Sequence, residues 1–440
     1  MMKKILLPVL LLMAFAVQAQ HNNSWIDYNK TYYKFRLAKD TLCRITQPAL
    51  ASAGLGSVPA EQFQLFRNGQ EVRLYTSVST GAMGASDYIE FWGQMNDGKP
   101  DNQLYRNLDF QLSDKYSLET DTACYFLTVN PSGTALRYIN TANPSPGSAT
   151  PDAYFMRSID FHYKNQMNRG YAKVVGEYIY SSSYDEGEGW CSNNIAPCCD
   201  LAQEFFNLNV YTAGPPNSLT VRVNAFGNAP NDRNVRIKLY QNDVTAAPYG
   251  TAVNMPFFSY RKINLQNLPL SLLQSASYLP IYIGSTSAAP LDRITVATIG
   301  ITYPATFDFV NQRYFSFELA PAAAGNFLQI SNFNFGATAP VLYDMTSGTR
   351  YVGDVLTTPG KVQFVLPPSL DTRQMMLVNE ESFQPISGFT SKQFINYGDA
   401  ANQGDYVIIT HPTLLNDGSG NNYVDQYKQY RNSIQGGSFN

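Results

Sequence analysis

The chain is 440 residues long and carries 31 Lys and Arg against 34 Asp and Glu, a formal net charge of −3. No basic stretch is concentrated enough to leave an electrostatic footprint for a polyanion, which excludes nucleic acid as a partner. Charged residues make up 15% of the chain, whereas there are 30 Tyr and 26 Phe, a composition that suits strands rather than long surface helices. A chain of this length exceeds what one hydrophobic core organises, so several domains are expected.

In chain order, residues 1–19 read as a cleavable secretory signal. Lys3 and Lys4 form the positive end, residues 5–17 the apolar run, and Val17-Gln18-Ala19 the small-residue cleavage site. That run is shorter than the roughly 20 apolar residues a membrane span needs, and no later segment reaches that length. The mature chain is therefore expected to lack a transmembrane helix and to work in the periplasm, outer membrane or cell surface.

Residues 20–140 read as a first β domain. Tyr32 to Leu37 and Leu42 to Ile45 are strand-like, Thr46 caps a short helix that stops at Gly54, and Asn68-Gly69 marks a hairpin because both residues tolerate positive φ. The Pro-, Ser- and Asn-rich stretch 141–152 has the composition of a linker. From 153 to 303, Leu219, Val221, Val223 and Ala225 alternate with polar residues, as do Val235, Ile237 and Leu239 (with Tyr240 among the intervening positions). Short period-two strands separated by turn residues predict an antiparallel sandwich. A smaller β segment occupies 304–384. Residues 385–440 change character: Tyr406-Val407-Ile408-Ile409 suits a buried parallel strand, and Tyr423, Tyr427, Tyr430 and Ile434 recur at helical spacing before Gly436-Gly437. A lone strand–helix unit cannot bury its own apolar face.

Five cysteines are present: Cys43, Cys124, Cys191, Cys198 and Cys199. In an oxidising compartment they are disulfide candidates, Cys43 with Cys124 and Cys191 with Cys198 or Cys199, leaving one thiol over. The 191–199 stretch lacks the paired spacing and nearby histidine of a zinc site. Asp185, Glu186 and Glu188, on a glycine-containing loop, are the calcium candidates, with Asp97 behind them, although no D-x-D-x-D-G pattern is present. His411, at the end of the 406–410 run, sits where α/β ligand sites lie, yet no cysteine is near it in sequence. His162 reads as a strand residue and His21 as part of an N-terminal arm. Trp25, Trp92 and Trp190 could build a sugar-stacking face, although strand aromatics are more often core. No cofactor is implied.

Several stretches resemble one family. Ile89-Glu90-Phe91-Trp92-Gly93, then Asn96-Asp97-Gly98, Asp101 and Leu104-Tyr105, is similar to a segment of gingipain-like cysteine peptidases, which include the PorU-type sortase of the type IX secretion system. Ile301-Thr302-Tyr303-Pro304 with Phe307 resembles the β-segment before their catalytic domain. Tyr406 to Pro412, with Tyr427 to Arg431, is similar to that domain's first strand and helix. The resemblance implies tandem β-sandwich-like domains followed by the truncated start of a caspase-like α/β domain. It implies thiol-dependent peptide-bond cleavage by a His–Cys dyad, with protein substrates or other type IX components as partners. Both dyad residues are expected beyond residue 440, so no residue of this chain is assigned to catalysis and the chain is expected to be a non-catalytic front portion. The alternative from another class is a surface adhesin or glycan-binding module.

N-terminal sequencing of the exported product is expected to begin at Gln20; a product still starting at Met1 would contradict the signal.

Overall fold

The computed structural model describes residues 23–439 apart from 133, 180, 240–248 and 274–277. The signal segment, His21 and Tyr240 lie outside the described residues. The described residues divide into two compact units, 34–389 and the pairing of 23–33 with 390–439.

The larger unit is built almost wholly of strands. Its first part comprises β1 (Tyr32–Leu37), β2 (Thr41–Thr46), helix α1 (Gln47–Ser52), β3 (Phe63–Arg67), β4 (Gln70–Val72), β5 (Tyr75–Thr76), β6 (Tyr88–Gly93), β7 (Ala123–Val129) and β8 (Ile139–Thr141). β1, β7, β3 and β4 are neighbours in one sheet, and β2, β6 and β5 in another. Asn68 and Gly69 take φ of 49° and 77°, the two left-handed residues that a tight hairpin turn between β3 and β4 requires. Phe35, Phe91 and Tyr125 pack between these sheets, with the Phe35 and Tyr125 rings stacked at 5.2 Å.

The middle part is the sandwich expected from the alternation. It runs in order through β9 (Phe155–His162), β10 (Gln166–Tyr171), β11 (Glu186–Cys191), β12 (Asp200–Phe206), β13 (Leu219–Gly227), β14 (Arg233–Leu239), β15 (Tyr249–Met255), β16 (Tyr260–Leu268), β17 (Tyr278–Ser285) and β18 (Ile294–Ala305). One sheet runs β12-β17-β14-β15, the other β16-β13-β18-β9, and β10 with β11 forms a separate hairpin. The inward residues of β13, β14, β17 and β18 are fully buried against one another, as period-two alternation demands. At the sandwich rim the Arg233 guanidinium and Asp292 carboxylate are fully buried and 2.6 Å apart. Arg233 also donates to the carbonyls of Ala229 and Phe257, so neither charge is stranded.

The last part comprises β19 (Asp308–Gln312), β20 (Tyr314–Leu319), β21 (Asn326–Phe333), β22 (Val341–Asp344), β23 (Thr349–Val352), β24 (Lys361–Leu366), β25 (Arg373–Val378) and β26 (Gln384–Pro385). Phe307, Phe309, Phe315 and Phe317 join its core to the sandwich core through Phe155. This part also exchanges strands with the first. β8 lies parallel to β23, with Ile139 opposite Thr349, and β26 lies parallel to β2, with Arg44 opposite Pro385. Leu42 and Tyr138 from the first part share a buried cluster with Val341, Tyr343, Met376 and Val378.

The stretch read as a linker is consequently part of this packing. The Asn143 amide donates to the carbonyls of Val352 and Gln363, at 3.0 and 2.9 Å, and accepts from the Val365 amide at 2.9 Å. Beyond Thr141, which ends β8, the stretch belongs to no named strand, and the asparagine substitutes side-chain bonds for backbone ones.

In the smaller unit, Trp25, Tyr32 and Phe394 meet edge to face, with ring centroids 5.1–5.7 Å apart. It also holds β27 (Thr390–Lys392) and helix α2 (Tyr423–Asn432), capped by the Asn422 side chain accepting from the Asp425 amide at 2.9 Å. The predicted parallel strand at 405–410 forms no strand and joins no ladder among the described residues, with Val407 78% and Ile409 94% exposed. A parallel strand exists only with a paired neighbour. Instead Tyr406 packs on α2 and on Phe439 beyond it: its hydroxyl lies 3.1 Å from that of Tyr427, and its ring 5.1 Å from Phe439. No helix among the described residues is long and apolar enough to cross a membrane.

Asn143→Ala is expected to destabilise the larger unit by roughly 1–3 kcal/mol, because it leaves the part-buried Val365 amide of β24 without its acceptor. Urea denaturation measures this; a change within experimental error would make the stretch a passive linker.

Candidate functional site

The residue at the centre of the IEF motif, Glu90, is fully buried. β6 pairs with β2 so that Glu90 stands opposite Arg44. The Arg44 guanidinium donates twice to one Glu90 oxygen, at 2.5 and 3.1 Å, while the Tyr343 hydroxyl donates to the other at 2.5 Å. Arg44 also lies 3.9 Å from Glu380, which Arg350 binds at 2.6 Å. The arginines are roofed by aromatic faces: Arg44 over Tyr88 and Phe383, Arg350 over Tyr75. Burial pushes the Glu90 carboxyl above its ordinary value and Glu380 adds to this, with Arg44 and Tyr343 opposing. Burial likewise lifts the Tyr88 hydroxyl to about 12. Each polar head here is met by a partner from a different part of the chain, so the constellation works as a clamp rather than a reactive centre.

The rest of the motif is structural as well. The Asp101 carboxylate accepts from the Leu118 amide at 2.8 Å and the Ser117 hydroxyl at 3.2 Å, closing the loop that begins at Asn96-Asp97-Gly98. Gly98 is needed because a Cβ there would sit 2.7 Å from the Tyr116 carbonyl oxygen. The Tyr105 hydroxyl donates to the Glu188 carbonyl at 2.9 Å, docking this loop on β11.

That docking uses the expected calcium ligands. Asp185 takes the Arg106 guanidinium at 2.7 Å, Glu186 takes the Lys173 ammonium at 2.7 Å, and the Glu188 carboxylate accepts from the Asp185 amide at 2.8 Å. Asp185 and Glu186 are buried with cations already in place. Among the described residues no cluster of three His, Cys, Asp or Glu is arranged to hold a metal ion. Asp97 accepts from the Lys99 amide at 3.3 Å, as a turn aspartate does.

The five cysteines are free thiols. Cys43 and Cys124 do not face each other: Tyr125 lies beside Cys43 in the interior, and strand alternation turns the neighbouring Cys124 to the other face of β7. Cys191 is buried on β11 and takes a contact from the Gln166 amide at 3.7 Å, apart from the exposed pair Cys198 and Cys199. Burial pushes the Cys43 thiol to about 12 and Cys191 to about 11. Neither is an activated nucleophile, which needs the opposite shift.

The two described histidines serve local roles. His411 Nδ1 lies 2.7 Å from the Thr413 hydroxyl and caps a single helical turn over Pro412–Leu414. His162 Nδ1 lies 2.9 Å from the Ser113 hydroxyl, and burial lowers its pKa. It borders a groove of about 400 Å³ on the sandwich face with Asp160, Arg222, Asn224 and Lys262. Arg222 there is paired with Asp160 at 2.8 Å. The tryptophans are engaged too: Trp92 packs edge-on to Tyr314, and the Trp190 indole donates to the Ser117 carbonyl at 3.0 Å.

No family model and no curated protein sequence matches the chain. Among solved structures it is similar to dimeric latent PorU from Porphyromonas gingivalis, with 11% identity and a TM-score of 0.52 over 92% of this chain and 36% of that one. The fold is PorU-like. The chain spans about a third of the length of that PorU chain. Two smaller overlaps involve sugar-binding modules. One is with the CBM36-1 domain of a xylanase from the hindgut metagenome of Trinervitermes trinervoides (8% identity, TM-score 0.20, 33% of this chain and 95% of that one). The other is with a CBM4 structure (14% identity, TM-score 0.15, 24% of this chain and 60% of that one). Both are too slight to carry an argument. Sequence reasoning missed the Glu90 clamp because its partners lie 46 residues away at Arg44 and 253 residues away at Tyr343. The cue available was an acid placed between apolar residues of a strand, where burial demands a paired cation.

Glu90→Ala is expected to cost roughly 3–5 kcal/mol, because Arg44 loses its main partner in a buried setting. Since folding raises the Glu90 pKa, the native state holds that proton more tightly. Stability conferred by the protonated form is full below the ordinary carboxylate range and declines as pH rises through the raised value. Urea titrations across that range should show this slope in the wild type and its loss in Glu90→Ala; parallel slopes would contradict it.

Proposed function

We propose that this chain is the exported, non-catalytic front portion of a gingipain-like cysteine peptidase linked to type IX secretion. Its β layers would orient the catalytic domain or its protein substrate. The PorU-like fold over 92% of the chain is the observation that carries the reading. The order of the motifs supports it: the IEF and NDG segments build the first layer and its loop, and the segment from Ile301 to Phe307 links the sandwich to the last β layer.

The side chains favour a supporting role. Thiol proteolysis needs a thiolate next to a histidine base and amides poised for the oxyanion. His162 and His411 bond to Ser113 and Thr413, and the buried thiols are shifted toward the protonated form. The exposed side chains of Val407 and Ile409 and the tyrosine face of α2 offer an apolar surface on which strands of an α/β sheet would pack. In that sheet the thiolate would attack the scissile carbonyl while histidine carries the proton.

The chain alone is expected to give no alkylation-sensitive cleavage of casein, and the reading frame past codon 440 is expected to encode the remaining strands with a His–Cys dyad. Alkylation-sensitive cleavage by this chain would overturn the non-catalytic assignment. A downstream frame without such a sequence, together with saturable glycan binding, would favour the surface-adhesin alternative.

A further inference from the structure

Cys198 and Cys199 form a pair that neither the fold nor the proposed function uses. They lie on the surface, at a turn closed by the Cys199 amide donating to the Ala196 carbonyl at 3.0 Å, with Pro197 fixing the turn's second position. Both ends of this turn are anchored. Ile195 exchanges two backbone bonds with Ile294, at 2.8 and 3.1 Å. Asp200 opens β12, with its carboxylate held by Arg236 at 2.6 Å and Lys238 at 3.1 Å. The two sulfurs are 2.7 Å apart, already well inside non-bonded contact. Cys191 is buried, with the Gln166 amide 3.7 Å from its sulfur, whereas Cys198 and Cys199 are both exposed.

We propose that Cys198 and Cys199 are a redox-responsive vicinal dithiol, closing reversibly to a small-ring disulfide by exchange with a small-molecule disulfide. In the first step one cysteine thiolate attacks a sulfur of the external disulfide, forming a mixed disulfide and expelling one thiolate. The neighbouring thiolate then attacks the protein sulfur of that mixed disulfide and expels the second. The two cysteines together lose two electrons and two protons, and the external disulfide becomes two thiols.

Geometry makes this a switch and not a staple. Consecutive Cα atoms are about 3.8 Å apart, whereas unstrained disulfides span about 4.4–6.8 Å between Cα atoms. The ring is therefore strained and easily reduced, as labile disulfides are. The Cys198 sulfur beside it holds the Cys199 thiol above its ordinary value, so closure should quicken as pH rises and the thiolate forms. This site stands independently of the peptidase reading.

The test is mass mapping of the intact reduced chain after incubation with oxidised glutathione. The peptide carrying both cysteines should lose the mass of two hydrogens and keep no glutathione, in the wild type and in Cys191→Ser alike. Cys198→Ser and Cys199→Ser should each retain a glutathione adduct on the remaining thiol. Dithiothreitol should restore the original mass, and a trivalent phenylarsenical should bind the reduced wild type but neither single variant. Glutathione retained on the wild-type peptide, absence of any reaction, or loss of the closed species in Cys191→Ser would overturn the proposal.

Discussion

The larger unit depends on one buried carboxylate. Glu90 lies on a central strand with no access to solvent, and it is tolerable there because Arg44 and Tyr343 meet both of its oxygens. Those partners come from opposite ends of the unit. Through Arg44 the network continues to Glu380 and Arg350, so β2, β6, β22, β23 and the segment after β25 share one set of charges. A buried ion network of this kind adds little net stability over an apolar core of the same shape, but it penalises every arrangement that leaves one charge unpaired. It thereby selects one mutual placement of chain segments far apart in sequence.

Strand exchange makes the same placement from the backbone side. β8 leaves the first part to lie beside β23, and β26 returns to lie beside β2. The sandwich is thus inserted between two halves of a discontinuous layer, and the phenylalanines around Phe309 fuse its core to that layer. A first part severed from the last would expose both the apolar cluster around Leu42 and the charges of Glu90 and Arg44.

What the sequence revealed was local. The alternation of Leu219 to Ala225 and of Val235 to Leu239 placed the sandwich, and Asn68-Gly69 placed the hairpin, because side-chain period and left-handed turns are set within a few residues. Long-range exchange leaves no such trace: Ile139 to Thr141 is a three-residue strand whose partner lies about two hundred residues on, and composition reads its neighbourhood as a linker. The acidic stretch at 185–188 reads as a cation-binding loop in sequence, but Glu186 and Glu188 lie on β11 and the cations are Arg106 and Lys173, which no spacing rule connects to it. Cys124 failed as a partner for Cys43 for a simpler reason, the alternation that sends Tyr125 inward and Cys124 outward. The run at 406–410 has strand composition, yet a strand is a paired object and composition cannot supply the pair.

On this account the Ile89-to-Gly93 motif is a folding device, and its glutamate holds a discontinuous β layer rigid behind whatever it supports. Native-state hydrogen exchange tests that claim most directly. The amides of β2 and β6 should open only with those of β22 and β25, at a common free energy and as one cooperative unit. Independent opening of β2 and β6 at lower free energy, with β22 and β25 still protected, would contradict it.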